Sequence, residues 1–183
     1  FIDELDFNKM DDAKVTLDGE YTAVSPACIL YTSGTTGNPK GALITNMNIV
    51  KLVKNPDYME LKESDTIIQA ASTSFDVSLF EFFGTLLNGG TCALITKENL
   101  LDFDYLNTYI KNAGVTIAWI TSALFNQIID AKIEAFETLH TVLSGGDVMS
   151  LKHVNKLRET YKDLTIINCY GPTECVTFTN TFR

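Results

Sequence analysis

Ala27-Cys28-Ile29-Leu30 runs straight into Tyr31-Thr32-Ser33-Gly34-Thr35-Thr36-Gly37-Asn38-Pro39-Lys40-Gly41, a short apolar segment delivering the chain to a loop of glycines, hydroxyls and one lysine. Glycine lets the backbone turn successive N–H groups toward one point, and the hydroxyls add short-range donors. Lys40 brings a flexible positive charge. A polyphosphate needs that combination. The P-loop pattern G-x-x-x-x-G-K-[ST] is excluded, because Pro39 precedes the lysine and Gly41 follows it. The plain alternative is a hydroxyl-rich surface turn between a strand and a helix.

Outward from this loop, strand-like and helix-like runs alternate. Residues 46–53 have helical character and stop before Pro56. Residues 66–71 read as a buried strand, and 75–87 as an apolar helix that ends at Gly89-Gly90. Strands are expected at 91–96, 115–120, 141–143 and 164–168. Helices are expected at 103–112, closed by Gly114, and at 122–130. A further helix carries Leu151, Val154, Leu157 and Tyr161 on one face, and 175–182 is an alternating tail. Alternation with continuous apolar strands predicts an α/β fold: a doubly wound, mainly parallel sheet flanked by helices. Residues 1–20, with Asp3, Glu4, Asp6, Asp11, Asp12 and Asp18, read as an acidic connecting segment, and 21–183 as the folded core.

The bulk numbers narrow the function classes. Across 183 residues, 45% are apolar and 20% charged, an ordinary globular balance. A net charge of −9 argues against nucleic acid or an anionic membrane as partner. No apolar run is long enough to span a bilayer, and no basic-then-apolar leader opens the chain at Phe1. Cys28, Cys92, Cys169 and Cys175 form no C-x-x-C and no zinc-like pairing with His140 or His153. Reduced thiols and a cytoplasmic setting are the expectation.

In open α/β sheets, ligands bind at the carboxyl ends of the strands. Three stretches fall there: the loop from Thr32 to Gly41, Ser74-Phe75-Asp76-Val77-Ser78, and Asn168-Cys169-Tyr170-Gly171-Pro172-Thr173-Glu174. Ser74 or Asp76 suits the cap of the following helix. Equally, a partly buried Asp76 carboxylate suits a cationic partner. Taken alone, the third stretch reads as a Gly-Pro turn ending a strand, with Glu174 on the surface.

Together these motifs resemble those of the adenylate-forming enzymes, the superfamily of acyl-CoA synthetases, luciferases and peptide-synthetase adenylation domains. The resemblance runs from about Tyr21 onward, in the family's order. It implies that Thr32, Ser33, Gly34, Thr35, Thr36, Gly37 and Lys40 hold the β- and γ-phosphates of ATP. Asn168 would read the adenine edge, Tyr170 stack on the base, and Gly145-Gly146 form the step beneath it, with Gly171 in the same loop. Thr173 would contact the α-phosphate and Glu174 hold Mg²⁺. Ser74 to Ser78 resembles the F-D-x-S motif of the amino-acid-activating members, whose aspartate pairs with the substrate ammonium. The expected activity is formation of an aminoacyl-AMP from an amino acid and Mg·ATP, followed by transfer to a carrier-protein thiol in nonribosomal peptide synthesis. The family's ribose-binding aspartate and C-terminal lysine have no counterpart before Arg183, so the chain looks like one subdomain of an adenylation domain and is expected to be inactive alone. The alternatives are a fragment of an acyl- or aryl-acid:CoA ligase, or an excised subdomain that binds without catalysis.

By the same resemblance, the positions that read the substrate side chain fall on Asp76, Val77, Phe80, Trp119, Leu143, Gly145, Cys169, Thr177 and Phe178. Apart from Asp76 they are apolar, small or weakly polar, so no second charge awaits the substrate. Valine or another small aliphatic amino acid is the expectation. The sizes of Val77 and Cys169 pull it toward alanine or 2-aminobutyrate. One methylene is worth only about 1–3 kcal/mol in such a pocket, so isoleucine is expected to compete.

Overall fold

The structure is a computed structural model that describes residues 19–32 and 38–183. The acidic segment at 1–18 therefore lies outside the described residues.

Two sheets form. β1 (Pro26–Thr32) and β2 (Lys40–Thr45) make an antiparallel pair in which Ile29 faces Leu43 and Tyr31 faces Gly41. In the sequence the 27–30 segment reads as a buried strand running into the loop. It is instead one arm of this separate hairpin, with Leu30 buried and Ile29 and Tyr31 exposed. β2 was not anticipated. α1 (Asn46–Val53) follows directly, started by a reciprocal cap: Thr45 Oγ1 accepts from the Asn48 amide, and Asn48 Oδ1 from the Thr45 amide.

The second sheet has six strands in the order β4-β3-β5-β6-β7-β8. They are β3 (Thr66–Gln69), β4 (Thr91–Leu94), β5 (Ile117–Thr121), β6 (Thr141–Gly145), β7 (Thr165–Tyr170) and β8 (Asn180–Phe182). All pairings are parallel except β7 with β8. The connecting helices are α2 (Val77–Leu86), α3 (Lys97–Leu101), α4 (Phe103–Asn112), α5 (Ser122–Ala131) and α6 (Leu151–Thr160).

Right-handed crossovers place connections that step in opposite directions on opposite faces of a sheet. The step from β3 to β4 goes one way and carries α2. The steps β4 to β5, β5 to β6 and β6 to β7 go the other way and carry α4, α5 and α6. Side-chain alternation along the strands follows suit. Ile68, Ala118, Ile120 and Val142 pack with Leu106, Ile110, Phe125, Ile128 and Leu157 of those three helices. Ile67, Ile117, Trp119, Leu143, Ile167 and Cys169 pack on the other face with α2, α1 and the hairpin. The fold is thus the expected doubly wound layer. Its direction reverses between β3 and β5, which opens a crevice at their carboxyl ends.

At the amino ends, Asp65 ties three strands together. His140 Nε2 lies 2.7 Å from its Oδ1, Thr116 Oγ1 donates to the same oxygen at 3.1 Å, and the Lys62 amide donates to Oδ2 at 2.8 Å.

Candidate functional site

The hairpin brings Thr32 and Lys40 side by side where the phosphate-loop motif leaves and re-enters the sheet; Thr32 Oγ1 donates to the Lys40 carbonyl at 3.4 Å. Ser33, Gly34, Thr35, Thr36 and Gly37 lie outside the described residues.

Asp76 occupies the N-cap position of α2, yet its backbone is already helical and its side chain makes no capping bond. Ser74 does not cap the helix either; its hydroxyl pairs with Ser72 Oγ at 2.9 Å. The simple helix-cap reading therefore fails. Asp76 is 8% exposed, and among the described residues no hydrogen bond or ion pair reaches its carboxylate. Its backbone carbonyl is held by Thr177 Oγ1, which donates at 3.0 Å.

Val77 and Phe80 from α2, Trp119 from β5, Leu143 from β6 and Cys169 from β7 pack into one apolar cluster, with Phe178 against it. These residues come from five separate places in the chain and share one cluster with α1 and the hairpin. Phe178 is wedged edge-on between Phe80 and Tyr58, with ring centroids 5.5 and 5.6 Å away. Tyr58 is fixed by donating to the Leu52 carbonyl at 2.6 Å. Burial holds its hydroxyl protonated, helped by nearby Cys169 and Asp57. Burial likewise pushes the Cys169 thiol up to about 12, so it stays neutral. Gly145 closes the end of β6, where a Cβ would collide with the Cys169 carbonyl oxygen, so this position admits no side chain. Trp119 Nε1 is buried without a hydrogen-bond partner among the described residues. A cavity of about 640 Å³ opens on the far side of Phe178 and Tyr58, between α1 and β8, away from Asp76.

On β7 the side chains alternate. Cys169 points into the apolar cluster, while Asn168 and Tyr170 point off the opposite face, and Tyr170 is 69% exposed. The Gly145-Gly146 step lies on the neighbouring strand, where Gly145 pairs in register with Cys169. Ser122 pins this step by donating to the carbonyls of Asp147 at 2.8 Å and Gly145 at 3.2 Å.

Beyond Gly171, Thr173 and Glu174 sit on a single 3₁₀ turn, Thr173–Cys175, with the Glu174 side chain exposed. Val176 and Thr177 follow at φ of 59° and 71°. Left-handed backbone at a β-branched residue costs roughly 1–3 kcal/mol. Two in succession, between Glu174 and Phe178, mark a segment held in an uncommon shape by its surroundings.

Glu81 was not singled out from sequence. It is fully buried on α2, and its carboxylate reaches the carboxyl end of β3 to accept from the amides of Ala70 and Ala71 and from Gln69 Nε2. Burial raises its pKa to about 7, against the opposing pull of those donors. The available signal was a lone acid in the apolar run Leu79-Phe80-Glu81-Phe82-Phe83. Ser122 and Tyr58 carried no such signal.

A family model described as AMP-binding enzyme matches residues 3–183. The chain belongs to the AMP-binding enzyme family. Gramicidin S synthase 2 of Brevibacillus brevis is 43% identical over 156 residues, covering 85% of this chain and 4% of that protein. Tyrocidine synthase 3 of Brevibacillus parabrevis is 39% identical over 156 residues, covering 85% of this AMP-binding chain and 2% of the synthase. The chain thus spans a small part of the curated relatives it matches. Among solved structures, the PA1221 protein containing adenylation and PCP domains superposes with a TM-score of 0.84 at 31% identity, over 97% of this chain and 36% of that one. The Klebsiella oxytoca NpsA N-terminal subdomain in complex with anthranilyl-AMSN gives a TM-score of 0.81 at 26% identity, over 93% and 44% respectively. The mostly parallel, helix-flanked sheet of the AMP-binding family is therefore the architecture of this chain. Among its described residues no helix is long and apolar enough to cross a membrane.

Proposed function

We propose that the protein containing this chain activates an amino acid as its adenylate for nonribosomal peptide synthesis. The observation that carries the reading is Asp76. Asp76 is buried as a residue, no donor among the described residues meets its carboxylate, and the ammonium of an amino acid would supply one. An acyl or aryl acid lacking an ammonium would leave Asp76 without a partner among the described residues, which weighs against the CoA-ligase alternative.

In the proposed step a carboxylate oxygen of the amino acid attacks the α-phosphorus of ATP. The bond from that phosphorus to the bridging oxygen breaks, and pyrophosphate leaves. The chain's part is positioning and charge placement. The exposed Tyr170 ring, with Asn168 on the same face and the side-chain-free Gly145-Gly146 step beside them, fits a purine. Thr173 would meet the α-phosphate, and Thr32 through Lys40, with Gly171 shaping the opposite loop, would meet the outer phosphates. Glu174, exposed and carboxylate-bearing, fits one ligand position of Mg²⁺, with phosphate oxygens and water as the rest. The metal would supply neutralisation of phosphate charge.

On this reading Phe80, Trp119 and Phe178 are bulky and would fill the far end of the amino-acid site, so a short aliphatic side chain would fit best. Valine is the proposed substrate, with isoleucine, alanine and 2-aminobutyrate as competitors. Transfer to a carrier-protein thiol belongs to the same reading, supported by the adenylation–PCP arrangement of the PA1221 protein. So does a cytoplasmic setting, supported by the free thiols of all four cysteines.

Amino-acid-dependent ATP–pyrophosphate exchange, profiled across the twenty amino acids on the complete natural protein, is the test. A maximum at valine or a neighbour in size is expected. A strong preference for phenylalanine, lysine or aspartate overturns the substrate, and silence with every amino acid overturns the reaction.

A further inference from the structure

Asp76 has no side-chain partner among the described residues, so its position is inherited from the backbone around it. That backbone is anchored at two points. At its far end the Asp76 carbonyl is tied to Thr177. At its near end the chain leaves β3 at Gln69 and turns through Ala70 and Ala71 into the loop. Glu81 holds this near end from inside α2. Its Oε1 accepts from the Ala70 amide at 3.1 Å and from the Ala71 amide at 3.0 Å. Its Oε2 takes the Ala71 amide at 3.3 Å and Gln69 Nε2 at 3.2 Å. Gln69 Nε2 also bonds the Ala71 carbonyl and so closes the knot.

An apolar residue would fill this site in the sheet-facing side of α2, where Phe80 and Thr85 are its buried neighbours. It would also leave two amides without a partner at the end of β3. Of the side chains that reach this far, only a carboxylate presents acceptors alone on both of its atoms. Bonds to an ionised acceptor are the shorter and stronger kind. Helix α2 thus clamps the take-off of the very loop that ends at its own N-cap, Asp76.

We infer that Glu81 is a positioning residue for substrate recognition: by fixing the take-off of the 70–76 loop, it sets where the Asp76 carboxylate meets the substrate ammonium. The inference rests on the amino-acid reading of Asp76. It assigns Glu81 no contact with the substrate and no proton transfer.

The test uses the complete natural protein and two variants, Glu81→Gln and Glu81→Ala, in amino-acid-dependent pyrophosphate exchange. Glu81→Ala is expected to raise KM for the amino acid about tenfold, the scale of one lost charge-assisted anchor, with KM for ATP within about twofold of wild type. Glu81→Gln keeps one acceptor oxygen for the amides and is expected to recover most of the loss, leaving KM for the amino acid about threefold raised. Amide hydrogen exchange at Ala70 and Ala71 is expected to quicken in both variants. A residue that merely supports the fold would move both KM values and kcat together, and that pattern overturns the inference. So does an amino-acid KM unchanged in Glu81→Gln, which is isosteric and decides the matter even where Glu81→Ala fails to fold. Wild-type protein silent with every amino acid fails the reading of Asp76 itself and takes the inference with it. Active wild type with indifferent Glu81 variants fails the inference alone.

Discussion

Two buried aspartates flank β3, and they are treated in opposite ways. Asp65, 4% exposed at the amino end, is met by His140, by the Thr116 hydroxyl and by the Lys62 amide. Asp76, 8% exposed beyond the carboxyl end, is met by no donor among the described residues. The same side chain at similar burial is satisfied where strands are only tied together, and left open where the sheet changes direction. Burying a carboxylate is tolerable only with partners. At Asp65 the fold provides them. At Asp76, on the proposed function, the substrate ammonium would be the partner.

The sharpest way to break this contrast is to remove each carboxylate in turn. Asp76→Ala is expected to lower kcat/KM for exchange by about a thousandfold or more, roughly 4 kcal/mol of transition-state stabilisation, while leaving thermal stability equal or higher. Loss of stability alongside activity would show that Asp76 is an ordinary structural acid. Glu174→Gln belongs beside it, with an expected loss of about a hundredfold in Mg²⁺-dependent exchange and no change in folding. Exchange that survives in that variant removes Glu174 from the metal.

Glu81 offers an intermediate case, a buried acid satisfied by donors yet costly to ionise. Its pKa is about 7 in the fold against 4.5 ordinarily, and burial is the dominant cause. Between those values the folded chain binds more protons than the unfolded one, so stability falls as pH rises from about 4.5 to about 7. The integrated change is about 3 kcal/mol. Among the described residues Cys92 on β4 feels its charge, and burial raises the Cys92 pKa, leaving it neutral in this range. Denaturant midpoints at pH 5 and pH 8 are expected to differ accordingly in wild type and to converge in Glu81→Gln. Parallel curves would show that Glu81 does not titrate there.

Asp65→Ala should give the mirror image of Asp76→Ala. Stability drops by about 2 kcal/mol, the scale of donors left unmatched beside a half-exposed histidine, and exchange per folded molecule stays within about twofold. Smallest of all, Thr177→Val removes the single bond to the Asp76 carbonyl. It is expected to cost about 1 kcal/mol in stability, with a modest rise in amino-acid KM.

The motifs around Asp76 and Glu174 stand out in the sequence because they are contiguous, a few residues around each defining the pattern, while the roles given to the two acids are proposals. The strands and most helices were legible for a related reason, since apolar periodicity is local. What escaped depends on distant pairing. Residues 40–45 continue the phosphate-loop motif without a break, and only their antiparallel match with β1 makes them a strand. Five-residue α3 is too short to show a period. The strand order, which switches direction between neighbours β3 and β5, leaves no mark on any single segment. Glu81 was hidden because an acid on a helix normally faces water. Nothing in Val176-Thr177 announces positive φ, which β-branched residues ordinarily avoid.

The alternation along β7 has a consequence for how such a chain diverges. On the proposed roles, Asn168 and Tyr170 serve the common nucleotide while Cys169, between them, serves the variable amino acid, and the pleat sends the two kinds of side chain to opposite faces. A duplicated copy can exchange Cys169 for a smaller or larger residue without disturbing the neighbours that every copy must keep. Adjacent positions on one strand then drift at different rates, one held still by a shared currency of the cell and the other free to follow a new peptide.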